Sequence, residues 1–159
     1  MNRTKILQLE LSDFAKLCTF STCRGVGPGG QKRNKTSSAV HAVMAPLGVA
    51  SFDDTTRSQH QNKMLALKKL RIEIALKIRE EHPAPWAGAI PGIHSEQFTN
   101  WLAIVFDFLN SLDYKVSDAA KALNCSTNQL CKNLGKYPAA WQFLNQERQK
   151  RNLPILRLT

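Results

Sequence analysis

Hydrophobic positions change their spacing along this chain, and each change marks an element. Over residues 1–12, Ile6, Leu7, Leu9 and Leu11 alternate loosely with polar neighbours, which predicts a short extended segment. Ser12 and Asp13 then offer a cap for a short helix through Leu17. Residues 18–22 (Cys-Thr-Phe-Ser-Thr) are rich in β-formers and predict a strand. From 37 to 45 the period is two, with Val40, Ala42 and Met44 on one face and Ala39, His41 and Val43 on the other. His41 reads as an ordinary strand residue. Ala45-Pro46-Leu47-Gly48 predicts a turn, and residues 49–52 the returning strand of a hairpin. Asp53-Asp54-Thr55-Thr56 ends that strand and offers N-caps for a helix. Over 57–80 the period becomes helical. Met64, Leu67, Leu70, Ile74 and Ile78 form one stripe for packing on the sheet, and Lys63, Lys68, Lys69, Arg71, Lys77 and Arg79 lie largely outside it.

Three prolines and two glycines within residues 82–92 interrupt any regular element and predict a linker, with Trp86 pinning it to a domain surface. The remainder reads as helical. Ser95 caps a helix whose stripe is Phe98, Trp101, Val105, Phe108 and Leu112, widened by Leu102, Phe106 and Leu109. Ser117 caps a short helix to Leu123, Asn124 and Cys125 turn, and Ser126 caps another to Leu134. Gly135 ends it, and Pro138 suits the first turn of a last helix through about residue 151, where Trp141, Leu144 and Arg148 share a face. Ala120, Asn124 and Leu130 stand where a helix-turn-helix places a small residue, a left-handed residue and a core aliphatic, although a plain bundle fits the same pattern. Asn128, Gln129, Lys132 and Asn133 on its second helix are polar but hardly basic, which argues against autonomous DNA binding. The expected fold is α+β, a small antiparallel sheet packed on a long helix over residues 1–81. A linker at 82–94 and a small all-α domain at 95–159 follow.

Composition narrows the partner. The 159 residues suit one domain or two small ones, and a net charge of +10 points to a polyanion such as nucleic acid. The excess is uneven: residues 1–81 hold 14 basic and 7 acidic side chains (+7), and residues 82–159 hold 8 and 5 (+3). Cys18, Cys23, Cys125 and Cys131 lack zinc-knuckle spacing and read as free thiols in a reducing cytosol. No apolar run suits a signal peptide or a bilayer span, so a cytoplasmic protein with no membrane partner is expected. No metal or cofactor is expected.

The basic excess gathers around Arg24-Gly25-Val26-Gly27-Pro28-Gly29-Gly30-Gln31-Lys32-Arg33-Asn34-Lys35-Thr36, which holds four of the eight glycines. Such a stretch is a loop, and bare backbone beside concentrated positive charge suits close approach to a phosphate-rich ligand. It is not a P-loop, because Gly30 is followed by Gln31-Lys32-Arg33 rather than by Lys-Ser/Thr. It is not a dinucleotide fingerprint, which needs a parallel strand before it and a helix after it.

Gly27-Pro28-Gly29-Gly30-Gln31, then Asn34-Lys35-Thr36 and Ser38-Ala39-Val40, resembles the catalytic loop of the class I peptide-chain release factors. Arg57-Ser58-Gln59-His60-Gln61-Asn62-Lys63 resembles that family's second block at the expected distance. The resemblance covers roughly residues 8–80. It implies hydrolysis of the ester that joins a nascent peptide to the 3′ end of tRNA, with Gly29, Gly30 and Gln31 catalytic. Gln31 is no general base, since an amide has no useful pKa near neutrality. Its backbone N–H would stabilise the oxyanion and its side chain would orient water; one such donor is worth roughly two to three powers of ten in rate. Gly29 and Gly30 would give the backbone its shape. Arg24, Lys32, Arg33, Asn34, Lys35, Arg57, Gln59, His60 and Lys63 would contact RNA.

The loop alone is an incomplete site. The sequence offers no Ser-His-Asp set, metal cluster or carboxylate pair near it, and the resemblance implies that the peptidyl-transferase centre of the ribosome supplies the rest. The implied partners are the ribosome, its RNA and peptidyl-tRNA. Family members also carry the residue equivalent to Gln31 methylated on its amide, which implies a glutamine methyltransferase. The protein is expected to be a monomer. Few residues precede the loop, so no stop-codon-reading domain is expected. The resemblance therefore points to the codon-independent hydrolases that rescue stalled ribosomes. Those have a long basic tail, whereas this chain has a helical half. The alternative is a non-catalytic RNA- or ribosome-binding regulator with a helix-turn-helix-like second half.

Overall fold

The computed structural model describes residues 2–25, 28 and 37–158. These fall into two compact units, Met1–Lys77 and Ile78–Thr159.

The first unit is α+β. Its elements are α1 (Arg3–Leu7), α2 (Leu11–Lys16), β1 (Thr19–Cys23), β2 (Ala39–Met44), β3 (Val49–Asp53) and α3 (Gln59–Lys77). The sheet has order β1-β2-β3 and is antiparallel throughout, with Cys23 opposite Ala39 at one end of the first pair and Thr19 opposite Val43 at the other. A 3-10 turn (Ala45–Leu47) closes the β2–β3 hairpin, and Gly48 leaves it at φ +62°, a left-handed angle that a Cβ would oppose. Alternation along β2 buries Val40, Ala42 and Met44, and the strand packs on α3, whose Ala66, Leu67, Leu70 and Ile74 are buried in turn. Ser51 Oγ donates to Ala66 O at 2.6 Å and ties β3 to the middle of that helix. Phe14 of α2 is fully buried beneath the Arg71 guanidinium, 4.8 Å from the ring centroid, and Arg71 also donates to Leu9 O.

Two expectations fail near the N-terminus. Residues 3–7 form a helix, not an extended segment. Asn2 Oδ1 accepts from Lys5 N at 3.0 Å and caps it, and Arg3, Ile6 and Leu7 are buried together, a helical i, i+3, i+4 set. An extended chain would send Ile6 and Leu7 to opposite faces. Ser12 and Asp13 do not cap α2 either. Glu10 is the N-cap, and Asp13 sits in the first turn, paired with Lys16 at 2.7 Å. Likewise α3 starts after Ser58, whose Oγ accepts from Gln61 N at 3.2 Å, rather than from a cap within 53–56.

The second unit is helical: α4 (Phe98–Ser111), α5 (Val116–Ala122), α6 (Thr127–Gly135) and α7 (Pro138–Lys150). Residues 82–92 hold no helix or strand. Trp86 Nε1 donates to Ala89 O at 3.0 Å, and its ring lines a cleft of about 130 Å³ with Trp101 and Leu130. The core is Phe98, Trp101, Leu102, Val105, Phe106 and Leu109 of α4 against Ala119, Leu130, Leu134 and Leu144. The serine expectations hold at one helix of three. Ser126 Oγ accepts from Gln129 N at 3.1 Å and caps α6. Ser95 lies outside α4, whose N-cap is Gln97, and Ser117 sits inside the first turn of α5, whose N-cap is Lys115. There Val116, buried in the core, sets where the helix begins.

Three helices end alike. After α4 the N–H of Tyr114 donates to Leu109 O, after α5 that of Cys125 to Ala120 O, and after α7 that of Leu153 to Arg148 O. Each is the six-residue closure of a Schellman cap, reached through left-handed Asp113, Asn124 and Asn152 respectively. Ala120 is buried, Asn124 makes the turn at φ +53° and Leu130 is buried, so α5 and α6 have the helix-turn-helix arrangement. The C-terminal segment folds back on its own unit. Asn145 donates to Leu156 O and accepts from Leu156 N, while buried Arg148 donates to Pro154 O and to Tyr114 O.

Candidate functional site

Pairing fixes where the glycine-rich stretch attaches. The β1–β2 ladder ends at Cys23 and Ala39, so the chain leaves and rejoins the sheet at the same end. Arg24 stands there, exposed, one residue past the last pair. Gly29, Gly30, Gln31, Lys32, Arg33, Asn34 and Lys35 lie outside the described residues.

The second block gathers at that end. Arg57, Gln59 and His60 are exposed around the start of α3. Gln59 Nε2 donates to Ser37 O at 3.0 Å. Lys63, one turn on, is half-buried, with its ammonium 4.1 Å from the Phe20 ring centroid of β1. It therefore leans along the sheet instead of extending straight into solvent.

Sequence reasoning missed Asn62. It is completely buried, and its amide makes four bonds. Nδ2 donates to Ser38 O at 2.8 Å and to Thr56 O at 2.9 Å. Oδ1 accepts from Thr56 N at 2.9 Å and from Thr56 Oγ1 at 2.8 Å. Both protons and both lone pairs are thus used. A signal was present: Asn62 lies four residues before Ala66 and eight before Leu70, on the buried stripe of the helix.

Asp53 closes β3 below this cluster. Burial would raise its pKa, but hydrogen bonds from Lys69, 2.6 Å away, and from Thr55 N and Oγ1 outweigh that and hold the carboxyl below its usual range. Among the described residues no three His, Cys, Asp or Glu side chains gather as metal ligands, and no helix is long and apolar enough to cross a membrane.

The family model described as the RF-1 domain matches residues 10–90, which takes in both sequence blocks and the sheet and helix that carry them. The chain belongs to the RF-1 domain family. Peptide chain release factor RF2 of Thermus thermophilus is 51% identical over 61 residues, 36% of this chain and 16% of its own length. Peptide chain release factor 1 of Delftia acidovorans is 42% identical over 92 residues, 58% of this chain and 24% of its own length. That of Salinibacter ruber is 42% identical over 66 residues, 42% of this chain and 18% of its own length. The matched region of the chain spans only about a fifth of the length of these relatives. Within the RF-1 domain, the residues outside the described set are those that carry the candidate catalytic Gly29-Gly30-Gln31.

Proposed function

We propose that this chain hydrolyses the peptidyl-tRNA ester on the ribosome and does so without reading a stop codon, freeing nascent peptide from stalled ribosomes. One observation carries the reading. The family domain spans Gly29-Gly30-Gln31 together with the Arg57–Lys63 block, and the latter stands at the sheet end where the former attaches. Gln31 would present its backbone N–H to the developing oxyanion, with Gly29 and Gly30 allowing the tRNA end to approach. Arg24, Lys32, Arg33, Lys35, Arg57 and His60 would engage RNA phosphates. The ribosome would supply the remainder of the site. The partners are then ribosomal RNA, peptidyl-tRNA and a methyltransferase acting on Gln31, and the protein works as a cytoplasmic monomer.

A second reading draws on the α5–α6 arrangement: a ribosome- or RNA-binding regulator that performs no hydrolysis. Release of labelled peptide from purified ribosomes separates the two. Templates would be truncated at the P site, extended with a sense codon, or extended with a stop codon. The hydrolase reading expects stop-independent release that Gly30→Ala lowers by a factor of at least about 100, because that change disturbs the donor's approach. Ribosome binding with no release on any template supports the regulator. Release confined to the stop codon would end the codon-independent reading.

A further inference from the structure

The Gln59 and Asn62 amides reach the same short stretch of chain. Gln59 Nε2 takes the carbonyl of Ser37, and Asn62 Nδ2 takes that of Ser38. These are adjacent residues, immediately before β2 and on the downstream side of Gly29-Gly30-Gln31. We propose that Asn62 and Gln59 are positioning residues for the release reaction: together they clamp the Ser37–Ser38 backbone to the start of α3 and so fix where the catalytic segment rejoins the sheet. The inference rests on the hydrolase reading above.

Asn62 anchors three pieces of chain at one point. Its own helix starts beside Ser58, which caps the first turn. Its Oδ1 holds the Thr56 N–H and hydroxyl, and its Nδ2 holds the Thr56 carbonyl. The remaining proton reaches Ser38, 24 residues earlier in the chain. Stabilising the helix start alone needs no such reach, because Ser58 already caps it. A buried amide with all four positions satisfied also has one permitted orientation, so the Ser38 carbonyl is held at a fixed place relative to the helix. Gln59 adds a second point. It is exposed and free to bond water, yet its amide lies on Ser37 O. Two adjacent carbonyls held by two side chains one helical turn apart define a position and a direction for the strand entry, which a single bond would not.

Catalysis by a backbone donor is sensitive to placement. A 1 Å error can cost about 100-fold in rate even when its cause lies away from the chemistry. Loosening the clamp should therefore lower the maximal rate while leaving the RNA contacts that set half-saturation.

The test is single-turnover peptide release from ribosomes carrying labelled peptidyl-tRNA, measured against protein concentration with the full chain. Gln59→Met keeps length and removes the donor. Gln59→Lys restores a donor within reach of Ser37 O. Asn62→Asp keeps the acceptor for Thr56 and removes both donors. Gln59→Met is expected to lower the maximal rate about tenfold at unchanged half-saturating concentration and unchanged Tm, with Gln59→Lys recovering most of it. Asn62→Asp is expected to lose about 100-fold. Should Asn62→Asp fail to fold by circular dichroism, the Gln59 pair decides. A Gln59→Met variant that only raises the half-saturating concentration makes Gln59 an RNA contact and overturns the clamp. So does one with a wild-type maximal rate. Wild-type protein that binds ribosomes but releases nothing sinks the hydrolase reading, and the inference with it. Normal wild-type release beside an undiminished Gln59→Met rate sinks the clamp alone.

Discussion

At the scale of single residues, the unit carrying the candidate site depends on polar groups placed where apolar ones are the rule. Asp53 is almost entirely buried, and Lys69 and Thr55 hold its carboxyl below the usual range. Its folded pKa is lower than its unfolded value of about 3.9, so it stabilises above that value. The contribution disappears as pH falls from about 4 through the folded pKa. Asp53→Asn should therefore cost about 1–3 kcal/mol at pH 7, read as a lower urea midpoint, and should nearly close the gap to wild type at the acid end. A gap of equal size at pH 3 and pH 7 would mean that the charge is irrelevant. The same scale shows why part of the site was hidden in the sequence. Arg57, Gln59, His60 and Lys63 read alike as RNA contacts, yet Lys63 lies on Phe20 and the Gln59 amide is turned onto backbone. Asn62 looks like its polar neighbours until its register with Ala66 and Leu70 is counted. What a side chain hydrogen-bonds across 24 residues of chain leaves no local trace in the sequence.

At the scale of elements, most of the fold was legible, because strands and long helices declare themselves by period. Val40, Ala42 and Met44 give β2 its inward face, and Leu67, Leu70 and Ile74 give α3 its stripe. The failures are at short elements and at ends. α1 is five residues long, too short for any period, and its cap, Asn2, precedes the pattern. Ser95 and Ser117 have the right chemistry for caps, but buried Phe98 and Val116 decide where their helices start. Asn124 was legible because its backbone demand is local. At φ +53° it carries the cap between α5 and α6. Asn124→Val should cost about 1–2 kcal/mol in thermal or urea unfolding, whereas Asn124→Gly should sit near wild type, since glycine meets no left-handed penalty. Equal effects of the two variants would show that the side chain, not the backbone angle, holds the turn.

At the scale of the molecule, two units differ in what they offer a partner. The first carries both blocks matched by the RF-1 domain and the larger share of the positive charge. The second is helical and closes on itself through Asn145, Arg148 and the C-terminal segment. Residues 82–92, with their prolines and without helix or strand, are proposed as the connection that a protease meets first. Limited trypsin or chymotrypsin digestion should give two stable fragments with ends near Lys77 or Trp86, and the N-terminal fragment should keep the stronger, more salt-sensitive affinity for ribosomes. Cleavage scattered across both units, or RNA affinity that follows the helical fragment, would reverse that division of labour.

The Asn62 amide carries a consequence for how this protein can be watched. Thr56 belongs to no helix or strand, and a backbone proton in such a place ordinarily trades with solvent at once. Here the proton is shut against a buried oxygen. It trades when that bond opens, and an opening in which the Asn62 amide swings away also frees Ser38. Deuterium uptake at that one amide is thus a clock for the grip on the strand entry, readable in the free protein and again on the ribosome, with no substrate turned over.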